Sequence, residues 1–197
     1  MEYKQLLNDN WCFQYKNKLK TSKVPGSIHL DLLSHNEIED PFKGTNEKDL
    51  KWIGERDWDY KSTFKPEKKI FEQKYIFITF EGLDTYSEVF LNGQKILSTN
   101  NMFHPWTADV KPLLKTDLNE LIVKFRSPIK EVIPKMQELG YELPADNDQA
   151  GKTSPHTRKA PYHYGWDWGP SLVTAGIWKN VISVSYTHLR AHETLIY

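Results

Sequence analysis

The chain has 197 residues, with 26 basic and 26 acidic side chains, so its formal net charge at neutral pH is zero. A chain of this length buries roughly 70% of its unfolded surface, and its single cysteine, Cys12, excludes an internal disulfide. The charge balance argues against a nucleic-acid or anionic-membrane partner, and no segment is long and apolar enough to span a bilayer.

A two-residue period of apolar side chains predicts a mainly β structure. Asn92 and Gly93 separate two β-rich runs, and this dipeptide is a strong signal for a tight hairpin turn. Short strands separated by turn residues are typical of a β-sandwich of jelly-roll type. The predicted strands lie at residues 75–80, 87–91, 94–97, 121–126 and 177–184.

One stretch after these strands has helical rather than strand periodicity. It predicts a single short helix, kinked at Pro134, which leaves the sheet. The polar residues 143–155 that follow have almost nothing to bury, so we expect a surface loop. The apolar residues at helical spacing are Ile129, Val132, Ile133, Met136 and Leu139.

Residues 158–170, here called the aromatic loop, carry the strongest functional signal. Trp166, Asp167 and Trp168 have a glycine on each side, and a proline closes the segment, which excludes a regular helix or a central strand. Aromatic faces combined with the directional charges of Asp167 and Arg158 match a ligand with apolar C–H faces and many hydroxyls. That ligand is most simply a sugar. Residue chemistry also leaves open that the aromatics cap a core while Asp167 hydrogen-bonds loop backbone.

The aromatic loop resembles the end of the N-terminal domain of β-mannosidases in glycoside hydrolase family 2. The string Trp-Asp-Trp-Gly-Pro at residues 166–170 is the specific part, and residues 174–181 continue the likeness. Upstream motifs stand in the order that this family shows, so the resemblance covers about residues 10–184. These motifs lie at residues 24–26, 40–42, 52–53, 58–60, 81–85 and 100–103.

The resemblance implies a galactose-binding-domain-like sandwich from an enzyme that removes terminal β-linked mannose from oligosaccharides or glycoconjugates. It implies that Asp167 accepts hydrogen bonds from the terminal sugar, that Trp166 and Trp168 shape the pocket wall, and that Arg158 orients Asp167 or another carboxylate. In the family both catalytic Glu residues belong to a later (β/α) barrel on which this domain packs. The chain alone is therefore expected to be inactive, with no assignable catalytic residue.

Two other functions remain open at this point. The motif at residues 176–181 occurs in looser form in β-galactosidases and β-glucuronidases, although Trp166, Asp167 and Trp168 favour mannose. A carbohydrate-binding module without an enzyme is the second alternative.

Other site chemistries have little support in the sequence. Cys12, His156 and His163 match no zinc-binding spacing, so we expect neither a metal nor a cofactor. Carboxylates beside the predicted strands are expected to lie at solvated edges. They are Glu81, Asp84 and Glu88.

We expect one domain over residues 1–184 and a non-native or divergent tail over residues 185–197. From about Thr187 the sequence leaves the family pattern and resembles translated adapter or vector sequence, a divergent linker being the alternative. The first ten residues lack the apolar core of a signal peptide, and the localisation stays open.

Overall fold

The computed structural model describes residues 2–187, and strands dominate this part of the chain. The strands are β1 (Glu2–Leu6), β2 (Cys12–Tyr15), β3 (Lys18–Thr21), β4 (Trp58–Phe64), β5 (Tyr75–Phe80), β6 (Leu83–Asp84), β7 (Tyr86–Leu91), β8 (Gln94–Asn100), β9 (Trp106–Asp109), β10 (Asn119–Arg126), β11 (Gly176–Ile177) and β12 (Val181–Tyr186).

The strands form a sandwich of two antiparallel sheets. One sheet has the order β1-β12-β5-β9, the other has the order β3-β2-β4-β10-β7-β8, and β6 pairs with β11 at one side. The predicted hairpin joins β7 to β8 through Asn92 and Gly93, which both have positive φ angles. The structure thus confirms the all-β prediction of a β-sandwich of jelly-roll type.

The core lies between the inner faces of the two sheets. Burial alternates along β4 and β10, as expected for strands with one face toward the core. Trp58 and Tyr60 of the larger sheet belong to the same buried cluster as Ile78 and Phe80 of the smaller sheet. Burial of each such side chain contributes on the order of 1.5–3 kcal/mol to the free energy of folding. The buried core thereby stabilises the sandwich to which the loops are attached.

The predicted helix is present as α3, Pro128–Leu139, with Pro134 inside it. Ser127 caps its first turn by accepting a hydrogen bond from the Lys130 amide, and Gly140 ends it in the left-handed conformation. Two further helices, α1 (Ile28–Ser34) and α2 (Asn46–Asp49), were missed. With seven and four residues, they are too short to establish a helical period in the sequence.

The predicted final strand at residues 177–184 is in fact divided. Ile177 pairs with Leu83 in the small β6–β11 ladder, and the chain enters the main sheet only at Val181. The strand β12 then continues to Tyr186, two residues beyond the expected domain boundary. Of the proposed tail at residues 185–197, residues 188–197 lie outside the described residues, and its non-native origin stays a prediction. No helix within residues 2–187 is long and apolar enough to cross a membrane.

Candidate functional site

A buried ion pair holds both ends of the aromatic loop against the sandwich. The Lys159 ammonium lies 2.5 Å from the Asp84 carboxylate at the end of β6, and both side chains are almost completely buried. Thr174, just beyond the loop, donates its hydroxyl to the same carboxylate at 2.6 Å and accepts a hydrogen bond from Lys159 at 3.0 Å. One carboxylate therefore anchors the start of the loop and the segment just after its end.

The position of Asp84 corrects our expectation of a solvated-edge carboxylate. Its side chain is buried because Lys159 and the hydroxyls of Thr85 and Thr174 satisfy its oxygens. Burial alone favours the protonated acid, but the Lys159 charge and these hydrogen bonds outweigh it and hold the pKa of Asp84 below its usual range. Glu81 and Glu88 do lie at partly exposed positions, where they bond to Asn180 and Lys95.

The tip of the aromatic loop is a tight turn that presents Asp167 to solvent. Backbone hydrogen bonds of 3.3 Å run in both directions between Trp166 and Gly169. The two indole rings meet edge to face at 5.3 Å between centroids, and the Trp168 side chain is 81% exposed. Gly165 starts the turn with φ 114°, and a Cβ there would lie 2.9 Å from the Asn147 carbonyl oxygen.

Asp167 is exposed and has no hydrogen bond or ion pair with any other described residue. The carboxylate therefore does not tie down loop backbone, which was the structural alternative for this residue. The structure does not bring Arg158 and Asp167 into contact. Arg158 is exposed at the start of the loop, where its carbonyl accepts a hydrogen bond from the Met102 amide.

The aromatic loop forms one side of a cavity of about 570 Å³. Most of the lining is apolar, and Phe42, more than 100 residues upstream, contributes a phenyl ring that is 75% exposed. A cavity of this size accommodates a small organic ligand such as a sugar ring. The lining residues are Phe42, Pro161, Tyr162, His163, Trp166, Trp168, Gly169, Pro170, Leu172 and Thr174.

The irregular loop at residues 143–155 is hydrogen-bonded to the aromatic loop. The Gln149 amide donates a hydrogen bond to the Tyr164 carbonyl at 2.8 Å. Asp148 holds the loop's own turn by accepting hydrogen bonds from the amides of Ala150 and Ser154. The predicted surface excursion is thus present, and it helps to fix the shape of the turn that carries Asp167.

The buried His29 and the half-buried His163 lie near the ion pair. Burial, followed by the Lys159 charge, lowers the pKa of both His29 and His163 to about 4. Both side chains are therefore neutral in the folded protein at neutral pH. His163 also contacts the Thr174 hydroxyl through Nδ1 at 3.4 Å.

These pKa values predict that the domain loses stability on mild acidification. Between about pH 6.5 and pH 4 the unfolded chain protonates both histidines while the folded chain does not, so their contribution to stability falls as the pH falls. From pH 7 to pH 5 the loss is about 2 kcal/mol for each histidine. Urea unfolding at both pH values measures this loss of unfolding free energy.

A double variant, His29→Gln with His163→Gln, should lose most of the pH dependence of its stability. An unchanged pH response in that variant would contradict the assignment of this dependence to the two histidines.

Sequence reasoning missed the residues that hold and complete the site. Lys159, Thr174 and Phe42 lie in segments that resemble the family, but the sequence pattern assigned no role to them, since they meet only through the fold. Within residues 2–187 no group of three or more metal-ligating side chains is arranged to hold a metal ion.

Sequence comparison shows which family and which proteins this chain is similar to. The glycosyl hydrolase 2 galactose-binding domain-like family matches residues 11–179. β-Mannosidase B of Thermothelomyces thermophilus is 37% identical over 194 residues, which are 95% of this chain and 22% of that protein. A probable β-mannosidase of Caenorhabditis elegans is 36% identical, over 89% of this chain and 21% of the relative.

Comparison of structures agrees with comparison of sequences. A β-D-mannosidase from Dictyoglomus thermophilum superimposes with a TM-score of 0.85 at 40% identity, over 92% of this chain and 22% of that chain. A β-glucuronidase from Ruminococcus gnavus, with a TM-score of 0.57 at 19% identity, shares the fold over 94% of this chain and 30% of its own. The chain spans about a fifth of the length of the β-mannosidases that it matches. By its sequence, its sandwich and its matched length, the chain belongs to the glycosyl hydrolase 2 galactose-binding domain-like family.

Proposed function

We propose that the chain is the N-terminal sugar-binding domain of a retaining β-mannosidase that removes terminal β-linked mannose from oligosaccharides or glycoconjugates. In this proposal the aromatic loop forms part of the pocket for the terminal sugar. The observation that carries the proposal is the exposed turn at residues 166–168. Trp166 and Trp168 line the apolar cavity, and the carboxylate of Asp167 between them has no partner among the described residues.

The exposed aromatic side chains around the cavity support a binding role. Trp168, Phe42 and Tyr162 are 81%, 75% and 63% exposed, and large apolar groups clustered at a surface mark an interaction site. The flat C–H faces of a sugar pack against such rings, while its hydroxyls donate to a carboxylate such as Asp167. A further domain packed against the same surface would complete the enclosure of the sugar.

In this proposal the chain supplies binding and orientation rather than the bond-breaking groups. A retaining glycosidase needs two carboxyl groups about 5–5.5 Å apart, one as acid/base and the other as nucleophile. The family resemblance assigns these to Glu residues of a barrel that is not in this chain. Hydrogen bonds from sugar hydroxyls to Asp167 accelerate the reaction to the extent that they strengthen in the transition state.

The relatives favour a mannoside over the substrates of other family 2 enzymes. The proteins with about 35–40% identity carry the name β-mannosidase, whereas the β-glucuronidase with the same fold is 19% identical. The Trp-Asp-Trp turn is the specific motif within the resemblance, and it forms the tip of the loop beside the cavity.

The isolated chain is expected not to hydrolyse 4-nitrophenyl β-mannoside, whereas the full-length protein should release nitrophenol from it. Part of a pocket offers few contacts against the entropic cost of association, so mannose should bind the isolated chain with a Kd in the millimolar range or weaker. Absorbance assays and an NMR titration measure the two quantities. Turnover by the rigorously purified chain, or no turnover by the full-length protein, would contradict the proposal.

A further inference from the structure

His163 is one of the few polar groups in the lining of the cavity. The other polar side-chain groups there are the hydroxyls of Tyr162 and Thr174 and the indole N–H donors of Trp166 and Trp168. The Thr174 hydroxyl is already engaged by Asp84 and Lys159, so it has little capacity left for a ligand. His163 is half-buried, and its ring meets that of Tyr162 edge to face at 4.7 Å. Its position is therefore fixed by its neighbours.

The hydrogen bonds beneath the cavity determine which nitrogen of His163 carries the proton. Thr174 has a single hydroxyl proton, and the short 2.6 Å contact commits it to the charged Asp84 carboxylate. The Thr174 oxygen can then only accept from its other neighbours. Since Nδ1 of His163 lies 3.4 Å from that oxygen, Nδ1 is the protonated nitrogen that faces it, over a long hydrogen bond.

The second nitrogen, Nε2, is consequently left as an acceptor. No described residue hydrogen-bonds to it, and Nε2 is not among the fully buried unpartnered atoms, so it is accessible. The lowered pKa of His163 agrees with a neutral ring. A neutral acceptor in an apolar lining suits a hydroxyl donor, since an anionic ligand offers no proton to it.

We propose that His163 is a sugar-binding residue of this cavity, whose Nε2 accepts a hydrogen bond from a hydroxyl of the ligand, and that Asp84 and Thr174 fix its tautomer. The inference rests on the proposed function, because it takes the ligand to be a sugar. It adds a contact that contributes to specificity. A sugar without the hydroxyl that faces Nε2 leaves this nitrogen without a donor and therefore binds less well.

The tautomer can be tested on this chain without any substrate. In the chain labelled with ¹⁵N-histidine, two-bond ¹H–¹⁵N correlation at pH 7 should show a protonated Nδ1 and an unprotonated Nε2 for His163. The His163→Gln variant assigns the signal by its loss. A ring protonated at Nε2, or at both nitrogens, would overturn the proposal.

The binding role is tested by kinetics in the full-length protein with 4-nitrophenyl β-mannoside. His163→Phe keeps an aromatic ring but removes the acceptor, so kcat/KM should fall about 3- to 10-fold, as expected for one neutral hydrogen bond. His163→Gln can place an amide oxygen near the position of Nε2 and should recover part of the loss. His104→Phe, at an exposed histidine outside the cavity lining, is the matched control and should leave kcat/KM unchanged.

The outcomes separate this inference from the proposed function. If the wild-type protein cleaves the mannoside and His163→Phe does so with the same kcat/KM, the contact is wrong and the β-mannosidase assignment stands. If the wild-type protein cleaves no β-mannoside, the proposed function fails and the sugar contact that rests on it fails too.

Discussion

Replacement of Asp167 by alanine is expected to reduce kcat/KM of the full-length protein on a β-mannoside by about 10- to 150-fold. A hydrogen bond to a charged group contributes roughly 1.5–3 kcal/mol, and that energy corresponds to this range of rates. Asp167→Asn keeps the shape of the side chain but weakens the acceptor, so its loss should be smaller. Steady-state kinetics of the three proteins measure the effect.

Stability measurements distinguish this sugar contact from a structural role. Asp167 is exposed and bonds to no other described residue, so both variants should melt at nearly the wild-type temperature. Asp146→Ala, at an exposed aspartate outside the aromatic loop, is the matched control and should change neither quantity. A fall in melting temperature with an unchanged kcat/KM for Asp167→Ala would show that Asp167 supports the loop rather than the ligand.

Replacement of Lys159 by methionine is expected to destabilise the folded chain by about 3–5 kcal/mol. The substitution keeps an unbranched side chain but leaves the Asp84 carboxylate buried without its cation. Removal of one partner is strongly destabilising because it leaves a buried charge uncompensated. Because Lys159 lies near the start of the aromatic loop, the loop should lose its fixed position as well. Urea unfolding at pH 7 gives the free energy change.

A surface ion pair in the same sandwich provides the control. Lys95 pairs with Glu88 at 3.0 Å on partly exposed positions, and Lys95→Met should cost only about 0–1 kcal/mol. The double variant Lys159→Met with Asp84→Leu removes both buried charges and should be more stable than Lys159→Met alone. If Lys159→Met costs no more than Lys95→Met, the ion pair does not anchor the loop.

The sheet elements of this fold could be predicted because their signals are local. Alternating burial along β5 and β10 follows from side chains two residues apart, and the β7–β8 hairpin follows from Asn92 and Gly93. The irregular turn at residues 166–169 likewise has its glycines and proline in one short segment. Each of these predictions needed no knowledge of distant residues.

The missed features depend on contacts between residues far apart in the chain. Asp84 sits beside predicted strands, and nothing near it in sequence reveals that Lys159, 75 residues later, neutralises it in the core. Phe42 joins the cavity from a segment with no strand or helix period. For α1, a seven-residue helix, burial of Ile28 and Leu32 matters more than helix propensity. The ligand role of Asp167 rests on residue chemistry, which left a structural role open, and on the family resemblance, and it stays a prediction.

The most direct test of the proposed sugar site is a crystal structure of the full-length protein with a bound mannose-derived inhibitor. The expected result is an Asp167 carboxylate within hydrogen-bonding distance of a hydroxyl on the terminal sugar, with Trp166 or Trp168 in contact with the same sugar. A terminal sugar bound in the catalytic site with no atom of residues 158–170 in contact with it would contradict the account.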